Sequence, residues 1–182
     1  MNMNHRLWLL PFAILMTGPA WANGAVIGWA NLQWPLTLNY TVSPVDRTDP
    51  IYGQVWIDGI TSQPGATPGL AAFIGFGAST DPLTWTDWVA ADFNVDAGNN
   101  DEFRGYLQPL YGGTYYYAYR YSYSGSPYLY ASLAGPWAPT SWNPGVMNVI
   151  GPPPPSVPEP GTLALLGLGL AGLGLSRRRK AH

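Results

Sequence analysis

Apolar and polar residues alternate with a period of two in several short runs within residues 26–133, the pattern of strands with one buried face. The alternation is sharpest at 114–122. Tyr115, Tyr117, Tyr119 and Tyr121 fall on one face there, and Thr114, Tyr116, Ala118, Arg120 and Ser122 on the other. Runs rich in Val, Ile, Tyr, Trp and Thr are separated by Gly, Pro, Asn and Asp, and no long stretch has a period of 3.6. The pattern predicts strands within Val26–Thr41, broken at Pro35, and at Tyr52–Ile57, Leu70–Phe76, Thr86–Val95, Glu102–Leu107, Thr114–Ser122 and Tyr128–Leu133.

That many short strands in roughly 110 residues predict an all-β domain over 23–135, a single two-sheet sandwich of the immunoglobulin or fibronectin kind. The tyrosine face of the 114–122 strand then reads as core, with its hydroxyls at the rim; a sugar-binding platform is the alternative. Tyr115, just after Gly112-Gly113, sits where such sandwiches place a tyrosine corner. Arg120, on the other face, is expected to seek an acid. Residues 136–156, with Trp137, Trp142 and many prolines, read as an extended linker ending in the stiff spacer Pro152–Pro155.

Both ends of the chain break the alternation. Arg6, the ten-residue apolar stretch Leu7–Met16 and the small-x-small Ala20-Trp21-Ala22 form a secretory signal, which makes Asn23 the mature N-terminus. At the other end, Gly161–Leu175 carries no charge. As a helix it would span about 22 Å, against roughly 30 Å of hydrocarbon. Arg177, Arg178, Arg179 and Lys180 follow and can snorkel, so the segment reads as a short transmembrane anchor. Gly167-x-Gly169-x-x-Gly172 matches a dinucleotide fingerprint on paper, but no βαβ unit can follow it.

Without its ends the chain is acidic. Residues 23–156 hold nine acids against three arginines and no lysine, a net charge of −6 where the whole chain carries −2. Nucleic acid and anionic lipid are poor partners for such a surface. There is no Cys, and both His residues, His5 and His182, lie in the terminal segments. Histidine triads, cysteine nucleophiles and the usual zinc sites are therefore excluded from the body, and no enzymatic activity is expected.

Pro158-Glu159-Pro160, the Leu/Gly/Ala-rich run behind it and the terminal basic cluster together resemble the PEP-CTERM sorting signal of Gram-negative bacteria, over residues 157–180. The resemblance implies a tail recognised at Pro-Glu-Pro and removed by the membrane protease exosortase. It also implies passage through the secretion machinery and a transient inner-membrane anchorage. The destination is the cell surface or an extracellular polysaccharide matrix, as in biofilms. The body carries a second resemblance, over about residues 50–135. Tyr52-Gly-Gln-Val-Trp56, Gly98-Asn-Asn-Asp-Glu102, Gly113-Thr-Tyr-Tyr-Tyr-Ala-Tyr-Arg120 and Tyr128-Leu-Tyr-Ala-Ser-Leu-Ala-Gly135 are similar to an uncharacterised module of bacterial secreted proteins. That module implies an immunoglobulin-like sandwich and no particular activity; Ser132 and Ala134 stand where it usually has acids.

Two groups in the body carry candidate chemistry. Asp92, Asn94, Asp96, Asn99, Asp101 and Glu102 supply the oxygens that calcium takes, with Asp92, Asn94 and Asp96 expected on one strand face. The spacing departs from an EF-hand, since Gly98 is at loop position seven and Glu102 at eleven. A solvated hairpin with Asn and Gly in its turn is the preferred reading. Trp85 and Trp88, around Asp87, offer indole faces for a sugar, unless they pack inside. Asp101 and Glu102 are adjacent and should point to opposite faces, which does not make the facing carboxyl pair of a glycosidase. The expected function is a non-enzymatic structural or adhesive protein, with extracellular polysaccharide or surface proteins as partners. A carbohydrate-binding module is the alternative, and a small glycan hydrolase a distant one.

Overall fold

The first alternating stretch divides at Pro35, and its halves join different sheets. In the computed structural model, which describes residues 26–138 and 140–155, β1 (Trp29–Trp34) pairs antiparallel with β3 (Ile51–Trp56). β2 (Thr37–Thr41) instead runs parallel to β10 (Gly145–Ile150), the last strand. Between them the order is β1-β3-β6-β5-β4-β7-β10-β2, where β4 is Leu70–Gly77, β5 Asp87–Ala97, β6 Asn100–Gly105 and β7 Gly113–Tyr123.

β5 serves both sheets. Its first half, Asp87–Ala91, pairs with β4, and its second half, Asp92–Ala97, pairs with β6. One sheet is thus β1, β3, β6 and the end of β5; the other is the start of β5 with β4, β7, β10 and β2. β8 (Leu129–Ser132) turns back beside β7, is followed by the short β9 (Gly135–Pro136), and both lie against β1. The result is a nearly closed, sandwich-like all-β fold with a 3-10 turn at Pro82–Thr84, capped by Asp81, whose Oδ1 accepts from Leu83 N at 2.9 Å.

Each stretch expected to be extended contributes a strand. The expected linker at 136–156 needs correction, because Gly145–Ile150 is β10, inserted between β7 and β2. Met147 and Val149 are buried in the core while Asn148 and Ile150 face out, so the segment alternates like the other strands. The domain closes with Gly112 N donating to Pro152 O at 2.7 Å, and the spacer Pro152–Pro155 is exposed.

The core is built on β7. Tyr117, Tyr119 and Tyr121 are fully buried, and the Tyr119 and Tyr121 rings stack with centroids 5.5 Å apart. Their hydroxyls end on main-chain carbonyls of the first three strands and their connections. Tyr117 donates to Pro35 O at 2.7 Å, Tyr119 to Ile51 O at 2.6 Å and Tyr121 to Asn31 O at 3.3 Å. A buried hydroxyl needs such a partner. The tyrosine face is therefore interior, with hydroxyls inside the sandwich instead of at its rim. Burial pushes all three phenols above their ordinary range, which keeps them protonated as donors. Tyr115, half-buried and edge-on to Phe76, donates to Tyr111 O at 3.2 Å, four residues upstream, as a tyrosine corner does.

Ala20, Ala22, Asn23, Pro158, Glu159, Pro160, Arg177, Arg178, Arg179 and Lys180 lie outside the described residues, and so does the expected anchor helix. Among the described residues no helix is long and apolar enough to cross a membrane.

Candidate binding surfaces

The two tryptophans singled out by the sequence lie on the outer face of β4, on its glycines. Gly75 leaves the space that Trp88 fills, and Gly77 the space that Trp85 fills; a Cβ at either glycine would overlap the indole. Trp85 is only 7% exposed, and its Nε1 donates to Ser79 O at 2.8 Å. Trp88 is half-buried, donates from Nε1 to Trp85 O at 3.1 Å and meets the edge of Tyr130. The Arg120 guanidinium sits 4.3 Å from the Trp88 ring centre, 4.0 Å from that of Tyr128 and 5.2 Å from that of Phe73. Arg120 thus meets aromatic faces where an acid was expected, an interaction that gains from desolvation. The indoles spend their faces on glycine backbone, on each other and on this cation, which leaves little ring for a sugar.

The polar cluster at 92–102 separates into two sides. A register shift between Phe93 and Val95 makes Asn94 a bulge, so Val95 stands opposite Glu102 and Asp96 opposite Asp101. Asp92, Asn94 and Asp96 therefore do not share a face as unbroken alternation required. Asp96 turns toward the loop at 64–67, where both its carboxylate oxygens accept from Gly65 N at 3.0 Å. Asp101 is fully buried, and its Oδ2 accepts from Thr67 N at 3.1 Å while Oδ1 has no partner. Burial, aided by the neighbouring Asp96, raises its carboxyl above the ordinary 3.8, against the opposing Thr67 hydrogen bonds. Asn99 is exposed in the turn, with its carbonyl accepting from Thr61 Oγ1 at 2.7 Å. Asp101 and Glu102 do point to opposite sides. Among the described residues no three acid, His or Cys side chains gather at metal-holding distance.

The outer face of β1, β3 and β6 carries a set that the sequence did not single out. Glu102 accepts from Asn94 Nδ2 at 2.6 Å and from Gln54 Nε2 at 3.4 Å, and Gln54 Oε1 accepts from Asn100 Nδ2 at 3.0 Å. Beside this array Trp34 is 53% exposed, with its ring 6.3 Å from that of Tyr52 and tilted by 42°. Gln33, Trp34, Tyr52 and Glu102 line a shallow cleft of about 280 Å³. The available signal was the outward parity of Tyr52, Gln54 and Glu102 against the inward Ile51, Gly53 and Val55. Trp34 had the wrong parity for this face. A larger hollow of about 660 Å³ lies between Val26–Ile27 and the turn from β7 to β8, lined by Tyr, Ser, Gly, Pro and aliphatic residues without a charge.

Beyond the domain and its exposed proline spacer, residues 156–180 match the PEP-CTERM protein-sorting motif. The tail is a PEP-CTERM sorting signal. This signal implies an exported protein processed by exosortase, cell-surface or extracellular, in a Gram-negative bacterium. Part of the chain is also similar to amylopullulanases. The similarity is 29% identity over 98 residues with that of Thermoanaerobacterium saccharolyticum, covering 44% of this chain and 8% of the enzyme. It is 27% over 114 residues with that of Thermoanaerobacterium thermosulfurigenes, covering 53% of this chain and 6% of the enzyme. It is 29% over 116 residues with that of Thermoanaerobacter thermohydrosulfuricus, covering 53% and 8%. The chain spans less than a tenth of the length of these curated relatives.

Proposed function

We propose that this chain is a non-catalytic structural or adhesive module, exported and sorted by exosortase to the cell surface or into an extracellular polysaccharide matrix. The observation that carries the reading is the order domain, exposed Pro152–Pro155 spacer, PEP-CTERM signal at 156–180. The signal supplies the address, and the stiff spacer holds the folded body clear of the protease at the membrane. Two sheets that share β5, a core between them and the Tyr115 hydroxyl on Tyr111 O support an immunoglobulin-like sandwich. The engagement of Asp96, Asp101 and Glu102 with main-chain or amide donors supports a module without acid–base chemistry. A carbohydrate-binding reading is favoured by one further observation, the similarity to segments of enzymes named amylopullulanase.

The test is fractionation of the host producing the full chain or its Glu159→Ala variant. Wild type should be trimmed and released to the surface or matrix, and the variant should stay untrimmed in the membrane fraction. Equal trimming and location of the two would overturn sorting through this motif.

A further inference from the structure

The Trp34 cleft is formed by departures from regular pairing. By parity Trp34 belongs inside, with Ala30 and Leu32, which are buried. A register shift between Leu32 and Trp34 turns it outward, opposite Tyr52. The second shift, at Asn94, leaves that side chain on Glu102. Bulges re-aim side chains at the cost of ladder hydrogen bonds, and they concentrate beside sites. Here two of them, on either side of the β3–β6 pair, place an aromatic ring and an amide around one carboxylate. Trp34 gains little for the fold in return, since half of its surface stays in water.

The chemistry of the cleft selects the ligand. A pyranose presents an apolar C–H face to an aromatic ring and equatorial hydroxyls to planar acceptors, and the cleft is lined by both. Glu102 is already held by Asn94 and Gln54, so binding need not freeze it, and a carboxylate with two donors keeps lone pairs for hydroxyl groups. No lysine exists in the body, and its net charge of −6 disfavours uronates and phosphates.

We infer that Trp34 and Tyr52, with Gln33 and Glu102, form a binding subsite for a neutral pyranose polymer. The inference rests on the matrix reading above and gives that reading a specific contact. The full chain, purified in mild detergent, is titrated with pullulan, amylose and hydroxyethyl cellulose as neutral probes and alginate as the anionic one. Saturable binding to a neutral glucan is expected. Trp34→Ala should weaken it at least tenfold, about 1.4 kcal/mol, while Trp34→Tyr keeps part of it and Trp137→Ala, at another exposed indole, keeps all of it. No saturable binding to any of the three glucans, alginate bound as tightly as they are, or a Trp34→Ala variant that binds like wild type would each overturn the subsite. Protease shaving of intact cells separates the two claims. A surface-exposed protein that binds no glucan sinks the subsite and leaves the address. Trp34-dependent binding by a protein that never reaches the surface sinks the address and leaves the subsite.

Discussion

Gly53 is the socket of the tyrosine core, and replacing it tests how firmly the two sheets are tied. It lies on the inner face of β3, and a Cβ there would overlap the Tyr121 hydroxyl and come within 2.6 Å of Tyr119 Cδ2. Gly53 is not among the positive-φ glycines, so alanine fits the backbone and the effect is steric. The rings cannot retreat freely, because Tyr119 is held to Ile51 O at 2.6 Å and Tyr121 to Asn31 O at 3.3 Å. Overpacking of this kind costs about 1–3 kcal/mol, and loss of one buried hydrogen bond adds about 1 kcal/mol. Gly53→Ala should therefore cost roughly 2–4 kcal/mol, a large share of a domain's usual 5–15 kcal/mol. Tyr121→Phe alone should cost about 1 kcal/mol, as its bond is long. In the double variant the clashing oxygen is gone and the new methyl occupies part of its space, so the combined loss should fall at least about 1 kcal/mol short of the sum. Urea denaturation followed by intrinsic fluorescence measures all three. Additivity within about 0.5 kcal/mol, the behaviour of independent sites, would refute the socket.

Two further substitutions test burial elsewhere. Asp101→Asn keeps an acceptor for Thr67 N and removes a carboxylate whose folded-state pKa is raised, chiefly by desolvation. Such a group favours folding when protonated and loses that contribution as pH rises from its ordinary 3.8 through the raised value. The melting temperature of the variant relative to wild type should thus rise from about pH 3 to about pH 7, on top of a pH-independent cost for burying its amide N–H where Oδ1 has no partner; a gap unchanged across that range would count against a buried carboxylate. Met147→Ala should cost about 2–5 kcal/mol by chemical denaturation, as a core position does, and a loss under about 0.5 kcal/mol would return β10 to the linker.

Most strands were legible because period-two alternation needs no knowledge of partners. β7 announced its inner face by Tyr117, Tyr119 and Tyr121 alone. β10 was obscured by its surroundings: prolines at 136, 139, 144 and 152–155 give the neighbourhood a linker's composition, and Val146-Met-Asn-Val-Ile150 has apolar residues on both faces, so only its burial alternates. The sites were less legible for a different reason. Parity assigns faces correctly only while the ladder is unbroken. One extra residue at Gln33 and another at Asn94 reverse the assignments of Trp34 and Asp96, and neither position is marked by glycine. The burial of Trp85 and Trp88 was equally hidden, since it depends on the register that sets Gly75 against Trp88 across β4 and β5.

The core and the cleft meet at one peptide. A cysteine-free exported domain must join its sheets by other means, and here three tyrosines of one strand donate to carbonyls at Asn31, Pro35 and Ile51. Two of those acceptors bracket the bulge of β1. Tyr121 holds the backbone three residues before Trp34, and Tyr117 holds the carbonyl of the residue that follows it. The exposed ring is thus mounted on main chain fixed from inside the sandwich, while Tyr52 and Glu102 stand on the adjacent β3 and β6. A ligand that stacks on Trp34 would have little backbone entropy to quench, and ordering costs are what weaken small polysaccharide contacts. In the proposed subsite the buried tyrosines would contribute to binding without touching the ligand, by keeping its aromatic contact in place.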